Sequence, residues 1–261
     1  MRVVITRPAG DALAWVDAMQ AAGHQALALA LIEVGPVTQT QPLTHAWATW
    51  GNYQAVMFVS AQAVRYFFQS QPPDMAWAQG PRCWATGPGT HKALQQAGVP
   101  DSCIDSPAPD AAQFDSETLW QRVAYQVQAD QPVLIVRGHD VNEDASAPSI
   151  GSGRDWLAQQ LEAAGAVPHF VVAYERRPPV WSAQQKAQAA QAATDGSVWC
   201  FSSSQAIEHL ALALPAQRWA KARCLATHER IAQTAQTLGF GEVHLTRPRV
   251  SDVLRSLECL A

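Results

Sequence analysis

Hydroxyl and arginine side chains recur at one kind of place in this chain, directly after a short apolar run and directly before a helical pattern. The set is Thr6-Arg7, Ser60-Ala61-Gln62, Thr86-Gly87 with Gly89-Thr90, Arg137-Gly138, Ser202-Ser203-Ser204, Thr227-His228 with Arg230, and Thr246-Arg247. A strand that passes through a polar turn into a helix leaves backbone N–H groups aimed at open space, where an anion can be held. Hydroxyls and guanidinium groups beside those amides suit carboxylates or phosphates. Any single serine or threonine here would serve equally as the N-cap of its own helix. Both halves of the chain nevertheless present the same set, as two halves of a ligand cleft would. Tyr174, one of four tyrosines, falls on a polar connector. Its phenol can give a hydrogen bond or a proton to a leaving group, although packing of the connector accounts for it nearly as well.

Other chemistries fit poorly. Gly87-Pro88-Gly89 matches neither the dinucleotide fingerprint nor the P-loop. The eight histidines lack HxxxH and HExxH spacing, so no metal is expected. Phe201-Ser202-Ser203-Ser204-Gln205 has no glycine to form a nucleophile elbow. His228 is the histidine best placed to face a ligand, since it occupies a strand-end turn.

The elements that carry these residues occur twice. Cys83 to Gly98 (CWATGPGTHKALQQAG) matches Cys224 to Gly239 (CLATHERIAQTAQTLG), and Ala55 to Val64 lies over Val198 to Ile207. Asp11 to Gly23 lies over Gly153 to Gly165, and Leu27 to Pro36 over His169 to Pro178. A period of about 140 residues is that of a domain. Strands alternate with helices throughout, which predicts parallel sheets with helices on their faces. Ligands of such sheets bind beyond the carboxyl ends of the strands, where the hydroxyl and arginine set sits. Ala26 to Ile32 reads as a strand, Glu33 to Pro42 and Tyr174 to Pro179 as proline-bearing connectors, and Asp101 to Asp110 as a connection. His139 to Ser152 has no counterpart in the other copy and reads as a mobile insertion. The duplication allows either a discontinuous first lobe, left near residue 36 and re-entered near 178, or two contiguous domains split near 142.

Composition narrows the classes. The chain has 261 residues, 48% of them hydrophobic, and a net charge of −4 without a basic stripe, which disfavours nucleic-acid binding. Only Lys92, Lys186 and Lys221 are lysines among 18 Lys and Arg, a bias that suits carboxylates and that codon usage also explains. Five unpatterned cysteines read as reduced core residues. The opening MRVVITRP enters a strand at once, so no signal peptide is expected, and no run suggests a membrane span. The expected location is cytoplasmic.

Taken together, Thr6-Arg7-Pro8, FVSAQAV (Phe58 to Val64), ATGPGT (Ala85 to Thr90), LIVRG (Leu134 to Gly138), GRDWLAQQL (Gly153 to Leu161), YERRP (Tyr174 to Pro178), FSSSQAI (Phe201 to Ile207), ATHERIA (Ala226 to Ala232) and Thr246-Arg247-Pro248 resemble the uroporphyrinogen-III synthases. The motifs cover nearly the whole chain, and their order and spacing are more specific than any one of them. The resemblance implies two similar flavodoxin-like α/β lobes, each a parallel sheet flanked by helices, joined by a two-stranded linker. It places residues 1–35 with 179–261 in a discontinuous first lobe and 38–172 in the second, with linkers at about 34–38 and 173–178. It also implies closure of hydroxymethylbilane to uroporphyrinogen III with loss of water and inversion of ring D, by a monomer without metal or cofactor. Tyr174 would assist departure of the hydroxyl, and Thr90, Ser202, Thr227 and the strand-end amides would hold acetates and propionates. The His139 to Ser152 segment departs from the family pattern. A two-lobed binding protein or sensor for a small polyanion is the alternative, and a sugar-nucleotide transferase is disfavoured by the missing phosphate loop.

Overall fold

The computed structural model describes residues 1–73, 75, 80–108, 111, 114–141 and 153–260. Internal contacts divide the chain into two units, Met1–Val34 with Arg177–Ala261, and Gly35–Arg176. The first opens with β1 (Arg2–Ile5), α1 (Ala9–Ala21) and β2 (Gln25–Ala28), and β3 (Glu33–Pro36) leads out of it. The second runs α2 (Gln41–Ala48), β4 (Ala55–Phe58), α3 (Ala61–Gln69), β5 (Arg82–Ala85), α4 (Pro88–Gln96), β6 (Ile104–Asp105), α5 (Ser116–Val123), β7 (Pro132–Asp140), α6 (Gly153–Ala163) and β8 (Val167–Arg177). The chain then completes the first unit with α7 (Ala183–Ala192), β9 (Val198–Phe201), α8 (Ser204–Ala213), β10 (Arg223–Ala226), α9 (Glu229–Leu238), β11 (Glu242–Leu245) and α10 (Val250–Glu258).

The sheet of the first unit has the order β11-β10-β9-β1-β2, and the other has β3-β8-β7-β4-β5-β6. β1 pairs in parallel with β2 and β9, and β10 with β9 and β11. In the second unit β4 pairs in parallel with β5 and β7, β5 with β6, and β7 with β8. Under the sequence repeat, β7 and β8 stand for β1 and β2, while β4, β5 and β6 stand for β9, β10 and β11. The two sheets are then the same arrangement, entered by the chain at different strands. Equivalent helix ends agree in detail. Gly23 and Gly165 have φ of +81° and +82°, and Gly98 and Gly239 have +87° and +98°, a left-handed conformation that glycine adopts without a Cβ penalty.

Five stretches differ from the sequence expectation. The Ala26 to Ile32 strand ends at Ala28, and Glu33–Pro36 of the expected connector is β3, at the sheet edge beside β8. β6 occupies two residues of the expected Asp101 to Asp110 connection. β8 continues through Tyr174–Arg177 because β7 extends equally far, pairing His139 with Glu175 and Asp140 with Arg176. Asp140 also takes two hydrogen bonds from the Arg176 guanidinium, at 2.8 and 2.9 Å. His139 and Asp140 therefore belong to a strand rather than to an insertion, and the remainder of that segment, 142–152, lies outside the described residues.

Alternation along the strands buries both faces of the first sheet. Val3, Ile5, Val198, Cys200 and Leu225 pack under Ala12, Trp15 and Met19 of α1 and Val253 and Leu257 of α10. Val4, Trp199, Phe201, Cys224 and Ala226 face the other way, against Ala189, Ile207, Leu210, Ile231 and Ala235 of α7, α8 and α9. In the second unit Ala55, Met57, Val133 and Ile135 pack against Leu119 and Val123 of α5 and Leu157 and Leu161 of α6.

Candidate functional site

In the first unit the helix after β1 and the helix after β9 leave on opposite faces of the sheet. A crevice opens at the carboxyl ends of two such neighbours. There a small cavity of about 10 Å³, room for one water-sized group, is lined by Arg7, Trp15, Cys200, Phe201, Ser202, Leu225, Thr227, Thr246 and Val253. The Arg7 guanidinium lies 4.2 Å over the Trp15 ring, a cation–π contact. Burial lowers its pKa against the raising effect of Asp11. Among the described residues no carboxylate lies within ion-pair distance of it. A half-buried cation that shares a cavity with Ser202, Thr227 and Thr246 and has no carboxylate in ion-pair contact among the described residues is a place where an anion is stabilised. Burial pushes the thiols of Cys200 and Cys224 up to about 12, so both stay protonated and neither is a nucleophile.

Not every hydroxyl nearby is available. The buried Thr6 hydroxyl donates to the Cys200 carbonyl at 2.6 Å, tying β1 to β9. Thr246 Oγ1 accepts from Ser256 at 2.9 Å. Ser203 is the N-cap residue of α8 without a side-chain capping bond, and Ser204 Oγ is buried with no partner among the described residues. His228 caps α9, its Nδ1 accepting from the Arg230 N–H at 3.2 Å. His228 and Arg230 are both exposed.

In the second unit the corresponding neighbours are β7 and β4. Ser60, just after β4, caps α3 by accepting from the Ala63 N–H at 3.2 Å. The same Oγ lies 3.2 Å from the Tyr174 hydroxyl. Tyr174 pairs with Gly138 across β7 and β8, is 3% exposed and stacks on Tyr66 with ring centroids 5.9 Å apart. Three residues far apart in the chain, Ser60, Gly138 and Tyr174, thus converge. Thr86 donates to the Val59 carbonyl at 3.3 Å, which ties the tip of β5 to that of β4. Ala61 and Gln62 form the first turn of α3. Gly87 is the N-cap residue of α4, Gly89 is exposed on that helix, and Thr90 is buried in it. The Arg137 guanidinium covers the Phe170 ring at 4.7 Å. Among the described residues no three of His, Cys, Asp and Glu converge as metal ligands would, and no helix is long and apolar enough to cross a membrane.

The roles of Trp15 and Tyr66 escaped sequence reasoning. Trp15 stands on the apolar side of α1, but Arg7 precedes that helix, so helical spacing does not pair them. Tyr66 carries no signal either.

The model of the family described as uroporphyrinogen-III synthase HemD matches residues 14–254. The chain belongs to the uroporphyrinogen-III synthase family. Among solved structures it is similar to the uroporphyrinogen-III synthetase of Helicobacter pylori, 16% identical over 100% of both chains with a TM-score of 0.58. It is also similar to a mutant uroporphyrinogen III synthase of Thermus thermophilus, 13% identical over 99% of this chain and 98% of that one, with a TM-score of 0.53. At these identities the structural likeness is one of fold, and membership of the synthase family rests on the sequence match.

Proposed function

We propose that this protein is a uroporphyrinogen-III synthase, a cyclising lyase that converts hydroxymethylbilane to uroporphyrinogen III with loss of water and inversion of ring D. The family match over residues 14–254 carries the assignment, and the chemistry of the strand tips supports it. The substrate is a flexible chain bearing eight carboxylates and one readily ionised hydroxyl, so catalysis consists largely of folding and holding it. The two units, Met1–Val34 with Arg177–Ala261 and Gly35–Arg176, are taken as its two lobes, the chain passing from one to the other at about 34–38 and 173–178. Arg7 with Ser202 and Thr227 receives one carboxylate oxygen in the cavity of the first unit. The remaining strand-tip groups, Ser203, Ser204, His228, Arg230, Ala61, Gln62, Thr86, Gly87, Gly89, Thr90 and Arg137, offer amides, hydroxyls or positive charge to the other carboxylates.

Tyr174 acts on the leaving group. The terminal C–O bond breaks with its electron pair on oxygen, the phenol proton turns the departing hydroxide into water, and the phenolate regains a proton from the pyrrole cation formed on ring closure. The enzyme works as a cytoplasmic monomer, without metal, cofactor, nucleic-acid or membrane partner.

Incubation with freshly generated hydroxymethylbilane, followed by chromatography of the oxidised porphyrins, tests the assignment. Type III product above the spontaneous type I background is expected, and type I alone removes it. Arg7→Gln is expected to raise KM roughly ten-fold with kcat little changed, the signature of a lost hydrogen bond to a charged group that serves ground and transition states equally. An unchanged KM would leave Arg7 as packing for Trp15.

A further inference from the structure

The register of β7 against β8 slips at one place. Arg137 faces Val172 and Gly138 faces Tyr174, so Ala173 is an extra residue without a partner. Such a bulge bends its strand and re-aims the next side chain. Ala173 and Tyr174 are both buried, at 1% and 3% exposure. The re-aimed ring lies over Gly138, where an added Cβ would collide with Cζ and stand 2.8 Å from the hydroxyl oxygen. Only glycine leaves room for it. Ser60 completes the arrangement. One of its lone pairs is taken by the Ala63 N–H in the first turn of α3.

We propose that Ser60 is a positioning residue for Tyr174, donating its hydroxyl proton to the phenol oxygen, and that the Ala173 bulge and Gly138 exist to bring that oxygen to it. This rests on the synthase assignment and on Tyr174 acting at the leaving group. A phenol oxygen that accepts from Ser60 keeps its own proton free for the substrate. When that proton leaves, the negative charge is met by a hydroxyl already polarised by the amino end of a nine-residue helix. Ser60 and Gly138 therefore serve the reaction through Tyr174 rather than by gripping carboxylates.

The test compares Ser60→Ala and Ser60→Thr with the unaltered protein. Loss of a hydrogen bond to a developing charge predicts a kcat about 10- to 100-fold lower in Ser60→Ala, with KM unchanged. Ser60→Thr, which keeps the hydroxyl, restores kcat to within about three-fold. In a Tyr174→Phe background, Ser60→Ala has no further effect on kcat, because the two residues act as one unit. A full additional loss there, or wild-type kcat in Ser60→Ala, overturns the proposal. The contact has a readout independent of turnover, the ¹³Cζ resonance of Tyr174 in a chain with four tyrosines. It is expected to move in Ser60→Ala and to stay near its position in Ser60→Thr. An unmoved resonance in Ser60→Ala sinks the proposal even if the protein makes type III product. Absence of type III product from the unaltered protein overturns the synthase assignment, and with it any role for Ser60 in catalysis.

Discussion

Tyr174→Phe is expected to turn over hydroxymethylbilane about 100-fold more slowly, the lower end of what a positioned proton donor contributes. The substitution removes one oxygen and leaves the ring, which continues to fill the space over Gly138 and against Tyr66. The stability cost is therefore limited to the hydrogen bond with Ser60, on the order of 1 kcal/mol. Because spontaneous closure competes with the slowed enzyme, the type I fraction of the product rises as kcat falls. Steady-state kinetics and porphyrin chromatography read both quantities. A wild-type kcat would make the phenol a packing element of β8 and no more.

Trp199→Ala is expected to destabilise the first unit by about 3–5 kcal/mol. Trp199 is fully buried at the centre of β9. Its ring meets Trp219 edge-on with centroids 5.5 Å apart, stacks on Phe201 at 6.0 Å and meets Phe240 at 6.3 Å. Its indole N–H donates to the Ala192 carbonyl at 3.2 Å. Truncation opens a cavity among rigid rings and strands that carbonyl, and neither loss can be relieved by a small shift. Urea denaturation followed by circular dichroism measures the effect, and a loss below about 1 kcal/mol would mean that the cluster repacks. Ser202 follows β9 directly, so the cavity holding Arg7 should be disturbed together with the core.

How far the fold could be read in advance depended on burial. β1, β4, β5, β9 and β10 are short apolar runs ended by polar turns, and their composition marks them. β3 and β6 escaped because four residues ending in Gly35-Pro36, and two residues ending in Asp105, carry no apolar alternation. They are strands only because a neighbour offers them a ladder. The polar half of β8 read as a connector for the same reason, since Glu175 and Arg176 are strand residues by virtue of pairing with β7 and not by β-propensity. At the candidate site, residue types at strand tips were legible while their partners were not. Nothing in the sequence indicates that the Thr6 hydroxyl is spent on the Cys200 carbonyl. The meeting of Ser60 with Tyr174 is set by a one-residue slip in pairing, which local pattern does not encode.

The interrupted path of the chain through its first sheet also sets an order of synthesis. Val3 of β1 is paired with Val198 of β9, 195 residues further along, so at ~5–20 residues per second a ribosome needs roughly 10–40 s to deliver the partner. During that interval the whole of residues 35–176 emerges and can condense. Val3, Val4 and Ile5, which end fully enclosed, meanwhile wait as a bare sticky edge. Nascent-chain chaperones and misassociation should therefore act chiefly on this amino-terminal segment.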